Sequence, residues 1–308
     1  MPLPRTHLEW IDLALHVAGG LIVLIALLMP LRRRLTGRSA DPLLGAPLRI
    51  NNLTPFQVWA CFIINFLGAS VGAAAARQIF AGASPESLRA WEGILGAVVA
   101  QVMAIAAVLW VAAGAFRSGL RGLGLGRRRF GRDLLRAFPW CLAGIATTSA
   151  LAWLTNQAIR LVRPEFEPPS HTVFQTLEDP ATPGWMRVLA FLGAGILAPI
   201  SEELLFRGIL QSSLVRFAGI VARQQAPGSP AALEESRTRG CAWRRWIPFI
   251  VVGVIFGAMH SVTPQNVPAL IVLGILLGFL YERTGSLVLP ILVHMLFNGK
   301  SLLWYALS

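Results

Sequence analysis

Two adjacent glutamates stand inside an apolar run. The stretch APISEELLFRGIL places Glu202 and Glu203 just ahead of Arg207 in a segment that otherwise reads as a membrane span. Carrying a charge into hydrocarbon costs several kcal/mol, so ionisable residues there point to function. On a helix, Glu203 and Arg207 are i,i+4 neighbours and can form an ion pair. Glu202 is turned about 100° away and is left as the freer carboxylate. A carboxylate withdrawn from water holds a proton more tightly and can act as a general base on a water molecule. The competing reading is a buried structural ion pair between helices. In FGAMHSV, His260 follows Phe256 by four residues, and in PILVHMLFNGK, His294 precedes Asn298 by four. The latter two share a helix face and can converge on one ligand, or they can form a hydrogen-bonding pair that glues helices together. Asp12 and His16 are also i,i+4, but Asp12 lies at a membrane edge beside Trp10, which predicts a solvated pair. His171, in FEPPSHTVF, reads as structural or solvent-facing.

The elements that must position these residues are membrane helices. Of 308 residues, 55% are hydrophobic and 14% charged, with mean hydropathy +0.61, which excludes a disordered chain and disfavours a soluble enzyme. Eight spans are expected, at 11–30, 56–77, 93–116, 138–159, 187–215, 246–262, 267–282 and 287–306. The predicted fold is an all-α polytopic membrane protein of about eight transmembrane helices. Residues 1–117 hold helices of low motif content and 118–308 hold the motif-bearing core, within a single membrane domain. Cys61, Cys141 and Cys241 are odd in number and widely spaced, which excludes a disulfide framework and a cysteine-rich zinc site.

Net charge is +12, from arginines set between apolar runs. They read as anchors facing anionic lipid, with no nucleic-acid partner. Segments 31–55, 117–137 and 216–245 together with Arg283 carry 19 Arg, whereas the opposite loops carry only Arg5, Arg77, Arg89, Arg160, Arg163 and Arg187, plus Lys300. The positive-inside rule puts the first set in the cytoplasm and both termini outside. The 26 Arg to one Lys suggest a GC-rich, bacterial source, and hence a multi-pass protein of the bacterial inner membrane. RRRFGRDLLRAF is expected to form a short basic amphipathic helix at the headgroups. Segment 224–240 reads as a mobile cytoplasmic loop bordering a cavity mouth that opens to the cytoplasm.

No HExxH, GxGD or GxSG motif occurs. What does occur is EExxxR (Glu202, Glu203, Arg207), FxxxH (Phe256, His260) and HxxxN (His294, Asn298), in that order on successive apolar segments. This series resembles the CaaX protease and bacteriocin-processing family of intramembrane proteases, and the run GFLYERTGSLVLPILVHMLFN is similar to that family's last motif block. GLGL at 122–125 is similar to a recurrent upstream feature. The resemblance covers about residues 120–305. It implies a conical cavity open to the cytosol, with Glu202 activating water, His260 assisting, His294 and Asn298 holding the oxyanion, and Glu203, Arg207 and Phe256 supporting them. It leaves two chemistries open: a metal-free glutamate mechanism, or one divalent metal, zinc first, held by Glu202, His260 and His294 with an open position for water. The implied partners are the bilayer and a membrane-associated peptide or protein substrate, with oligomeric state undetermined. Two other classes fit the same apolar chain: a catalytically silent member acting as immunity factor or scaffold, and a small transporter with an acidic coupling site.

Overall fold

The computed structural model describes residues 7–36, 43, 46–47, 49–126, 130–169, 172–180, 182–225 and 242–307. Their regular structure is helical, with one isolated antiparallel bridge between Asn51 and Phe116. The principal helices are α1 (His7–Leu35), α2 (Pro55–Ile79), α3 (Pro85–Ala115), α4 (Phe130–Val162), α5 (Gly184–Gln225), α6 (Ala242–Ala258), α7 (Val267–Thr284) and α8 (Val288–Leu307). Six helical stretches are long and apolar enough to cross a membrane: 7–30, 55–79, 85–115, 130–162, 184–219 and 264–284. The two other expected spans fall short for different reasons. The apolar part of α6, Arg245–Ala258, is brief, and α8 carries His294, Asn298 and Lys300 within its 20 residues.

Helix starts follow local chemistry. Thr54 caps α2 in a reciprocal box with Gln57, and Ser84 accepts the Ser87 N–H ahead of α3. Pro55 and Pro85 occupy first positions, where a missing N–H costs nothing. The expected interfacial helix at 127–136 is not a separate element. From Phe130 it is the first turns of α4, because Asp133 is buried and accepts a 2.6 Å bond from Ser286 Oγ.

Neighbouring helices run antiparallel. Gly253 and Gly257 of α6 face Ile275 and Ile271 of α7, and a Cβ on Gly257 would stand 2.4 Å from the Ile271 side chain. Small residues allow such backbone approach between membrane helices. Helix α1 is peripheral, only 6% buried over its apolar window, and it meets α4 where Gly19 lies against Leu142.

The antiparallel order gives the bundle two ends. One gathers the arginine-rich connections and is called here the basic end. There Glu282 pairs with Arg49 and Arg245, the Arg49 guanidinium lies 3.9 Å over the Tyr281 ring, and Tyr281 Oη donates to Leu123 O at 2.9 Å. Gly124 (φ +101°) and Gly285 (φ +66°) meet at this end, where Leu287 N–H donates to Gly124 O at 3.2 Å. Both need a left-handed backbone that favours glycine. A Cβ on Gly124 would also lie 2.7 Å from Gly285 O. The GLGL segment is thus docked on the turn that starts α8. The opposite end is open, with a short helix Thr172–Glu178 laid over it.

Candidate active site

Helix α5 carries the acid pair, and its irregularity sets their positions. Two π segments, Gly193–Leu197 and Leu204–Gln211, flank the α-helical Ala198–Glu203. Pro199 has no N–H to donate and its ring would crowd the carbonyl four residues back. The wider first π segment ends just ahead of it, with Ala198 N–H donating to Gly193 O. Such segments leave a carbonyl in search of a donor, and Asn298 Nδ2 from α8 supplies one to Ala194 O at 2.9 Å. In this way the π segment draws α8 against α5 at the level of the acids.

The acids part as their spacing predicts. Glu203 and Arg207 are fully buried and joined through Arg207 Nη1 and Glu203 Oε1 at 2.8 Å. Arg207 also donates to Gly274 O at 3.0 Å and lies 4.7 Å over the Phe256 ring. A buried pair offsets its desolvation only when further hydrogen bonds satisfy it, and this one is extended by His294. His294 Nδ1 lies 3.0 Å from Glu203 Oε1, so that nitrogen carries the proton. Its other nitrogen, Nε2, faces Glu202 Oε2 at 3.9 Å. His294 is buried, whereas the Glu202 side chain keeps 27% of its surface.

The exposed part of Glu202 opens into a cavity of about 1290 Å³. His260, His294, Asn298 and Phe256 line it as well. Phe256 links the histidines: its ring is 4.9 Å from that of His260 and stands edge-on to that of His294 at 5.8 Å. His260 lies beyond the end of α6, in the turn after Ala258, with Nδ1 2.8 Å from Phe256 O. The site therefore has two tiers, with Glu202 and His294 on the floor and His260 one aromatic ring above.

The donor set Glu202, His260 and His294 does not fit a metal in this arrangement. Among the described residues no three His, Cys, Asp or Glu side chains come together as a metal-holding group. Zinc would need all three donors within about 2.0–2.2 Å of one point.

Asp12 is not simply solvated: Lys300 of α8 reaches Asp12 Oδ1 at 2.6 Å, with His16 3.4 Å from the other oxygen. His171 lies outside the described residues. The cavity walls include residues that motif reasoning passed over, among them Ser87, Gln101 and Thr148. Gln101 Oε1 is buried and has no hydrogen-bond partner. A lone glutamine in the apolar span 93–116 was the available signal.

The mouth differs from expectation. The lining comes from the starts of α3, α5 and α7, the ends of α4 and α6, and the second half of α8. It includes Glu86, Glu178 and Thr263, all remote from the basic end. The described flanks of segment 224–240, Gln225 and the start of α6 at Ala242, belong to the basic end and do not line the cavity. Residues 226–241 lie outside the described part.

Comparison with known proteins agrees with the motif series. Residues 184–299 match the Rce1-like family model, described as type II CAAX prenyl endopeptidase Rce1-like. An Escherichia coli protein described as an uncharacterized 24.3 kDa protein is 28% identical over 160 residues, which are 51% of this chain and 59% of that protein. The match thus spans less than two thirds of that relative. No solved structure matches the chain. Residues 184–299, which hold the acid pair, both histidines and Asn298, are thus similar to the Rce1-like family, in line with the motif series.

Proposed function

We propose that this protein is an intramembrane endopeptidase that hydrolyses a peptide bond of a membrane-associated polypeptide with a glutamate-activated water. The observation that carries this reading is His294 set between two unlike carboxylates: Glu203, buried and neutralised by Arg207, and Glu202, open to a large cavity. A structural ion pair needs only the first. The second, next to a protonatable nitrogen and to water, is suited to acid–base work.

Glu202 takes a proton from water as the water oxygen attacks the scissile carbonyl carbon. Negative charge then develops on the carbonyl oxygen, where preorganised donors contribute most. Asn298 spends one N–H on Ala194 O and has a second to offer. His294, oriented through Nδ1 by Glu203, turns the lone pair of Nε2 to the same space, where it can accept a hydrogen bond from the attacking water. The C–N bond breaks as the proton held by Glu202 passes to the leaving nitrogen. His260, tilted against the Phe256 ring, helps to place the water. The unpartnered Gln101 Oε1 is suited to accept a backbone N–H of the substrate.

The test compares the membrane peptidome of cells carrying wild type and Glu202→Gln. Cleavage products present with wild type and lost with Glu202→Gln are expected. Identical peptidomes from equally folded proteins would favour the catalytically silent member.

A further inference from the structure

The basic end and the cavity lie at opposite ends of the same bundle, and this decides which compartment the cavity meets. The connections at the basic end carry 19 of the chain's 26 arginines. An excess of that size within short loops sets the orientation of a polytopic protein with that end in the cytoplasm. Among the described residues the basic end is also tightly bonded. Glu282 is held by Arg49 and Arg245, Arg216 donates to Leu53 O at 2.9 Å, and Gln211 donates to Gly278 O at 3.0 Å across the bundle. Leu204, Leu205, Phe206 and Ile209 fill the space between this lattice and the acid pair. Polar residues line the opposite mouth, Ser84, Glu86 and Arg89 from one side and Glu178 from another.

We infer that the catalytic cavity opens to the extracytoplasmic face, and that its substrates are segments of membrane-anchored or translocated polypeptides exposed on that face. The inference rests on the endopeptidase reading for its substrate class, and on charge and cavity placement alone for the direction of opening.

The direction is tested in the full chain with Cys61, Cys141 and Cys241 replaced by serine. One cysteine is then introduced at Glu86, exposed at the mouth, or at Arg121, exposed at the basic end. A membrane-impermeant maleimide should label Glu86→Cys in right-side-out vesicles and Arg121→Cys only in inverted ones. The reverse pattern, or labelling of one variant from both faces, would overturn the inference. Detergent-solubilised protein shows that each cysteine is reactive. The substrate class is read from the cut sites lost with Glu202→Gln: extracytoplasmic positions are expected, and cytoplasmic ones would refute it. Peptidomes unchanged by Glu202→Gln would defeat the protease reading and leave the labelling result standing.

Discussion

At the basic end Glu282 is enclosed by two arginines, while at the other end Glu202 faces a cavity with only a 3.9 Å contact to His294. Both carboxylates sit at the ends of comparable charge networks, yet one is saturated with donors and the other is left short of them. Saturation locks α7 to the α1–α2 connection and to α6. Leaving Glu202 short of partners keeps a group that can still exchange a proton. Stability and chemistry are thus separated along the bundle axis, and the Glu203–Arg207 pair lies between them, where it serves both.

That separation can be broken most severely at Glu202. Glu202→Gln keeps the shape and removes the base, so cleavage should fall by about 10²–10⁴-fold with the thermal midpoint in detergent unchanged. Retained turnover on a genuine substrate would end the proposed mechanism. Removing one partner from a buried pair costs about 3–5 kcal/mol. Glu203→Gln and Arg207→Ala should therefore lose both folded yield and activity, followed by thermal unfolding and by the cleavage assay. At the basic end, where Arg49 keeps its bond to Tyr281 O and Arg245 its bonds to Ala46 O and Pro47 O, Glu282→Gln should cost about 1–3 kcal/mol and leave kcat per folded molecule as in wild type. A kcat that fell with it would show that the ends are coupled. Gly124→Ala forces a side chain into a left-handed backbone, about 1–2 kcal/mol by itself, and against Gly285 O and Leu287 N, so it should cost more than that, again without a change in kcat. The smallest effect is expected at the wall: Gln101→Leu should raise KM by up to about tenfold, as the loss of one hydrogen bond does, with kcat held.

Much of this was legible in the sequence because membrane burial makes polar residues conspicuous. Glu202, Glu203, Arg207, His260, His294 and Asn298 stand out in apolar runs, and i,i+4 geometry alone separates the two acids. The apolar runs also gave every principal helix to within several residues. What could not be read is what periodicity does not encode. The π segments around Ala198–Glu203 shift the helix phase without changing its composition. The level of His260 is not set by straight-helix spacing. It is explained by α6 ending at Ala258 and by a Phe256 ring filling the gap to His294. The open space is made by small residues such as Ala97, Ala194 and Ala198, which carry no signal of their own in the sequence.

The walls of the cavity have a different origin from its floor. Glu202, Phe256, His260, His294 and Asn298 all fall within residues 184–299, but Ser87, Ala97 and Gln101 of α3 and Val173 and Phe174 of the short overlying helix fall outside that segment. On the proposed endopeptidase reading, one stretch of chain holds the reaction while others decide what fits above it. Exchange of α3 and residues 172–178 with those of similar proteins is then a route to chimeras that cut new sequences with unaltered machinery, much as a socket accepts different bits while the drive stays the same.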